Sequence, residues 1–327
     1  MLKRLYIIGN GFDLHHGIPS SYRDYRKWLE ENDRDLLERL REYYDVGSEE
    51  WWGEFEVALG HPDMMGYIEN TAFQNWPRET SDGEIRASEY LAGESQAREE
   101  IGGLVASIGE TFRQWVADFP EPEAGYKIKL NSDDAFFINF NYTDTLQHLY
   151  NVKRESVWHI HGEARGGKDL IMGHNRSYDE LNDEYCPDIP EPPDDCDDIM
   201  KWYEEADDGE DYIHQTVREE VVTQIYDLNK GTDDIIYDNQ SVFDRLKTVQ
   251  EVYVYGLSFS PVDIPYLDEI VKQVPKETAI WTVSYYSADD LRREKKYFKD
   301  KSLSQIKYVK LEDLMRVRSG KLDFVFD

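Results

Sequence analysis

The segment from Leu5 to Tyr22, LYIIGNGFDLHHGIPSSY, constrains this chain most, because it reads as a buried strand that stops at two glycines and re-enters a helix. Leu5, Tyr6, Ile7 and Ile8 form an unbroken apolar run, the pattern of a parallel strand covered on both faces. Gly9 and Gly11 lack the Cβ that would keep a ligand off the backbone. A helix opening after them would turn its first amides and the positive end of its dipole toward an anion, the physical basis of a phosphate site. The same glycines also suit a plain tight corner, and alone they do not decide between the two.

Spacing narrows the choice. A dehydrogenase fingerprint places a third glycine three residues after the second and an acidic residue about 20 positions further on. Here Leu14 stands at the glycine position, the next glycine is Gly17, and the chain beyond Tyr22 reads as helix. No G-x-x-x-x-G-K-[ST] occurs either. Neither a hydride-transfer enzyme nor a P-loop NTPase is supported.

The 327 residues suffice for one enlarged domain or two. With 68 acidic against 37 basic residues the net charge is -31, which opposes direct nucleic-acid binding, since that affinity comes largely from lysine and arginine releasing counterions. Cys186 and Cys196 are the two cysteines, too few for a disulfide framework and without a C-x-x-C pair for zinc. The apolar run after Met1 is too short for a signal peptide, and no apolar stretch approaches the length that spans a bilayer. A cytoplasmic protein with no membrane partner and no metal is expected.

Along the chain, helical spacing fills the region after Tyr22 and continues through a segment rich in tryptophan and phenylalanine, closed by PEPEAG at Pro120 to Gly125. Strands are expected at Ala135 to Phe140, Ser156 to His161, Asp169 to Met172, Glu251 to Tyr255 and Thr278 to Tyr285. Helices are expected after NYTD, over Thr216 to Leu228, over Val262 to Val274 and from a Ser287 cap to Lys296. The alternation predicts an α/β fold, a Rossmann-like parallel sheet flanked by helices. Residues 1–45 and 126–327 form the expected core, with a helical insertion at 46–125 and an acidic, proline-rich loop insertion at 178–211.

Ligands of open parallel sheets bind outside the carboxyl ends of the strands. Those ends carry Gly9, Asn10, Gly11 and Asp13; Asn139, Asn141, Tyr142 and Asp144; His159, His161 and Gly162; His174 and Asn175; and Gly256, Ser258, Ser260 and Asp263. Each has a plain alternative: Asp13 and Asp144 suit helix caps, Asn141 suits a turn, and His159 and His161 share one strand face without a third metal ligand. So many polar side chains on one rim point to a site rather than to packing.

The segments GNGFDLHHGIPSSYRDY, FINFNYTDTLQ, WHIHGE, LIMGHN and YGLSFSPVDIPYLDEI, in this order, resemble the AbiH family of bacterial abortive-infection, phage-resistance proteins. More remotely, the order is similar to sirtuins and the sirtuin-like NAD hydrolases of phage defence, with a glycine turn leading to G-I-P, an asparagine at a strand end, an H-G and a later G-x-S. That likeness implies an NAD site, with NAD as substrate or ligand. Gly9, Asn10, Gly11 and Asp13 would lie near the pyrophosphate and ribose, Asn141 and Asp144 near the nicotinamide ribose, and Ser258 and Asp263 on the adenosine side. His161 would be the base, Asp13 and Asn141 would stabilise the positive charge that develops on the ribose, and Gly162 and Gly256 would complete the binding turns. The paired cysteines of the sirtuin zinc ribbon are absent, so protein deacylation is not expected. The resemblance implies an abortive-infection protein that hydrolyses NAD at the nicotinamide–ribose bond, or a non-catalytic nucleotide sensor working through a phage-derived trigger or self-association. A nucleic-acid effector is the least expected class.

Overall fold

In the computed structural model, residues 2–78, 87–164, 170–186 and 208–315 are described. The chain forms two compact units: Met1–Tyr25, Arg113–Ile171 and Thr232–Asp327 make the first, and Arg26–Phe112 with Met172–Gly231 the second. The expected core of 1–45 and 126–327 is thus divided differently, since the segments from Arg26 and from Met172 cluster together.

The first unit is built on six parallel strands, β1 (Arg4–Ile8), β2 (Ala135–Asn139), β3 (Val157–His159), β4 (Glu251–Tyr255), β5 (Ile280–Ser284) and β6 (Gln305–Val309), in the order β3-β2-β1-β4-β5-β6. This is the doubly wound, Rossmann-like order, whose direction reverses beside the first strand. The apolar run of β1 is explained by cover on both faces. Leu5 and Ile7 join a cluster with Ile138, Val254 and Trp281, while Tyr6 and Ile8 join another with Phe12, Phe137 and Tyr255. In-register pairing puts Tyr6 opposite Phe137 and Tyr253, and the three rings stack at 4.8 and 4.6 Å.

Three helices of this unit matter below: α1 (Asn10–His15), α2 (Thr145–Tyr150) and α3 (Ile264–Gln273). A fourth, α4 (Ala288–Phe298), opens at Ser287 as its sequence predicts: the hydroxyl accepts from the Asp290 amide and Asp290 accepts from the Ser287 amide.

The second unit is helical. Its core joins Met64 and Ile68, Ala97 and Ile101, Leu181 and Tyr185, and Val217, Val221 and Ile225. Inside it the buried Lys230 ammonium meets the Glu56 carboxylate at 3.2 Å.

Several expectations change. Tyr178–Tyr185, the start of the expected acidic loop, is a helix with a Ser177–Glu180 capping box, and Asp208 already begins the next helix. The rest of that loop, with Cys196, lies outside the described residues. Leu170–Met172 forms no strand, and Asp169 also lies outside the described residues. The third strand ends at His159, so His161 is not on it. Strand β6 was not anticipated: its Ile306 and Tyr308 alternate with polar residues, a short edge-strand signal. Among the described residues no helix is long and apolar enough to cross a membrane.

Candidate functional site

The glycines of the first turn face protein backbone. A Cβ on Gly9 would lie 2.6 Å from the Leu257 Cα, and one on Gly11 would lie 2.9 Å from the Gly256 Cα. Gly256 has φ +69°, and a Cβ there would sit 2.1 Å from the Phe12 amide nitrogen. The turns after β1 and β4 therefore touch, at the point where the strand order reverses. Their amides are committed too: Gly9 donates to the Tyr255 carbonyl at 3.0 Å, Gly11 to the Gly256 carbonyl at 2.7 Å and Phe12 to the Gly9 carbonyl at 2.9 Å. Asn10 binds the following loop, its amide donating to the Ser20 carbonyl and its oxygen accepting from the Ser20 hydroxyl. The tight-corner alternative thus accounts for Gly9, Gly11 and Gly256 without a ligand.

Asp13 is the centre of a polar network. It lies within α1 rather than at its cap, which is Gly9, and is 1% exposed. Its carboxylate accepts from the Thr143 hydroxyl at 2.6 Å and from the Thr145 hydroxyl at 2.9 Å. Burial pushes its pKa up to about 6, against the lowering effect of Thr143, Thr145 and Asn141; the nearby Asp144 charge adds to the rise. Asn141 ties the ends of β1 and β2, its amide donating to the Gly9 carbonyl at 3.0 Å. Its own backbone amide donates to the Asn139 side-chain oxygen. Asp144 occupies the cap position of α2 without a side-chain capping bond.

The two histidines of HIHG have different surroundings. His159 is held at the end of β3 by Asn139, Gln147 and the Asn141 carbonyl, and burial lowers its pKa, keeping it neutral. The Gln147 amide nitrogen lies 2.9 Å from His159 Nε2, and the Asn139 amide nitrogen lies 3.3 Å from Nδ1. His161 is 2% exposed, with the rings of Phe140, Tyr266 and Tyr142 at 5.4, 5.6 and 6.4 Å. Gly162 takes φ +88°, and the next residue, Glu163, receives both arms of the Arg154 guanidinium.

The remaining rim residues are more dispersed in role. Ser258 is exposed, and its carbonyl accepts from Arg293 of α4 at 2.9 Å. Asp263 is the backbone cap of α3, and the Ser260 carbonyl accepts the Asp263 amide. His174 belongs to the second unit, fully buried, with Nε2 donating to the Ile225 carbonyl and Nδ1 accepting from the Arg176 amide. It fixes the backbone there, and Asn175 follows it in the same unit. Among the described residues no group of three or more His, Cys, Asp or Glu is placed to hold a metal ion.

A cleft opens beside the Asp13 network. Tyr142, Thr143, Asp144 and Thr145 line it with Ile18, Ala164 and the Val116–Pro122 segment, which supplies Glu121. Its void is ≈ 30 Å³, or ≈ 370 Å³ counted out to the open mouth, and among the described residues no lysine or arginine lines it. Thr143 and Thr145 are site residues that local sequence patterns do not single out. Their trace in the sequence is the spacing of two hydroxyls around Asp144 in NYTDT.

The family model described as bacteriophage abortive infection AbiH matches residues 5–285. The chain belongs to the AbiH family. The matched span runs from Leu5 of β1 to just past β5 and contains the Asp13 network and the cleft, and it supports a role in phage abortive infection. No curated protein and no solved structure matched the chain.

Proposed function

We propose that this AbiH protein acts in abortive infection by hydrolysing NAD, or a related nucleotide, at the nicotinamide–ribose bond. The observation that carries the reading is the buried Asp13 carboxylate, held by Thr143 and Thr145 beside a cleft at the carboxyl end of a Rossmann-like sheet. Breaking that bond develops an oxocarbenium-like positive charge on the ribose, and nicotinamide leaves without needing a proton. A preorganised carboxylate in a water-poor setting favours such charge. Keeping a carboxylate buried costs folding stability, and perturbed acids of this kind concentrate at functional sites. The remote likeness to sirtuin-like NAD hydrolases adds support.

In this reading Asp13 acts from behind the Thr143 hydroxyl, and Asn141 fixes the β1 and β2 ends against each other. His161, expected as the base, is packed among three rings and touches the cleft lining through Tyr142, which favours a packing role for it. The test is intracellular NAD, read by mass spectrometry during phage infection in cells expressing the wild type or Asp13→Asn. NAD should fall, with nicotinamide appearing, in the wild type alone. Equal nucleotide pools in the two strains would overturn the reading.

One observation favours a second reading. His161, the expected base, is buried among three aromatic rings, and a site without a base suits a nucleotide sensor that binds without turnover. Tight binding of intact NAD in calorimetry, with no nicotinamide released, would select it.

A further inference from the structure

We infer that His159, acting through the Asn139 side chain, is the positioning residue that holds the Thr143 hydroxyl against Asp13. That this position serves turnover rests on the glycosidic-cleavage reading; the position itself is argued from hydrogen bonds alone. Asn139 and His159 end β2 and β3 and stand opposite each other in the sheet register. Asn139 is 2% exposed, and backbone groups of the turn that follows it fix its orientation. Its side-chain oxygen accepts the Asn141 amide at 3.2 Å, and its side-chain nitrogen donates to the Thr143 carbonyl at 3.2 Å. The Thr143 hydroxyl in turn donates to Asp13 at 2.6 Å.

The same Asn139 nitrogen lies 3.3 Å from His159 Nδ1. With its oxygen committed to the Asn141 amide, Asn139 can only donate there, so Nδ1 accepts and the neutral ring carries its proton on Nε2. Burial favours that neutral form. At the other end of the ring the Gln147 side-chain amide lies 2.9 Å from Nε2. Turned end for end, this amide brings to the Nε2 proton an oxygen that has no hydrogen-bond partner among the described residues. His159 therefore ties α2 to the Asn139 turn. Removing the Nδ1 acceptor leaves a buried Asn139 proton unpaired, which favours rotation of that side chain and frees the Thr143 carbonyl. The charged groups acting on the ring, Glu163, Arg154 and Asp144, are untouched by the variants below.

The test is the titration of the Asp13 carboxyl, read by NMR on the full chain, with Asp13→Asn assigning the signal. Leucine and asparagine share a shape, and asparagine alone returns an oxygen near the place of Nδ1, so the pair isolates the acceptor from the lost ring. His159→Leu should move the Asp13 midpoint upward from about 6 by roughly 0.5–1 pH unit, the scale of one weakened hydrogen bond. His159→Asn should keep the wild-type midpoint. Nitrogen NMR of the wild-type imidazoles, which needs no variant to fold, should show His159 Nδ1 without a proton. Equal midpoints in the wild type and His159→Leu, equal shifts in the two variants, or a protonated Nδ1 would overturn the inference. Nicotinamide release from NAD, followed in parallel, separates the two claims: in His159→Leu kcat should fall about tenfold with KM unchanged. A shifted Asp13 with undiminished release removes the catalytic consequence alone, whereas a wild type that releases no nicotinamide removes the hydrolysis alone.

Discussion

The Gly11 amide donates to the Gly256 carbonyl at 2.7 Å, joining the turn that ends β1 to the turn that ends β4. Gly256 has φ +69°, and any side chain there meets the Phe12 nitrogen at 2.1 Å. Gly256→Ala should therefore lower stability by at least about 2 kcal/mol, combining left-handed strain with displaced backbone. Gly125→Ala, where nothing lies within 4 Å of the added Cβ, should stay within about 0.5 kcal/mol of wild type. Urea denaturation of both variants compares them, and equal midpoints would contradict the contact.

Asp13 gives a pH signature. Its pKa rises from 3.8 unfolded to about 6 folded, so between those values the folded chain holds more protons than the unfolded one. Stability should fall as pH rises through this window, by up to about 3 kcal/mol, and remain lower above it. Asp13→Asn should flatten that dependence and stabilise the fold at pH 7 by about 1–3 kcal/mol, less whatever the amide loses against Thr143 and Thr145. An unchanged slope in denaturation series from pH 4 to pH 7 would show that Asp13 is not the buried acid.

The catalytic assignment separates two residues. Thr143→Val, which removes the hydroxyl between Asp13 and the cleft, should reduce nicotinamide release by about 100-fold. His161→Gln should chiefly cost stability, about 1–3 kcal/mol from disturbing the ring cluster, with release per folded molecule retained. A fully stable His161→Gln variant without release would return the base to His161.

A second buried acid lies away from the cleft. Glu294 of α4 is 2% exposed, its Oε2 has no hydrogen-bond partner among the described residues, and burial, then Asp290, raises its pKa to about 8. Because the folded pKa lies above the unfolded one, stability is lost as pH climbs from about 4.5 through 8. Glu294→Met should stabilise the chain, more at pH 9 than at pH 4, as read by thermal unfolding at the two pH values.

Much of the framework was legible because periodicity reports burial. The run at Leu5–Ile8, the Glu251–Tyr255 strand and the Ser287 cap emerge from local patterns, and all three stand in the structure. The site was less legible because its chemistry depends on which distant residues meet. The glycines matched a phosphate turn, yet the partner that makes them necessary is Gly256, 245 positions beyond Gly11. His159 and His161 looked equivalent by alternation, and the end of β3 at His159 gives them different neighbours. His174 followed an apolar run as the others do, yet it anchors backbone in the second unit.

The family match closes at Tyr285, one residue past β5, so β6 lies outside the matched span. β6 pairs with β5 alone, at the margin of the sheet farthest from β3. The order reversal beside β1 and the Asp13 network lie three strand positions away, so neither leans on the pairing of this last strand.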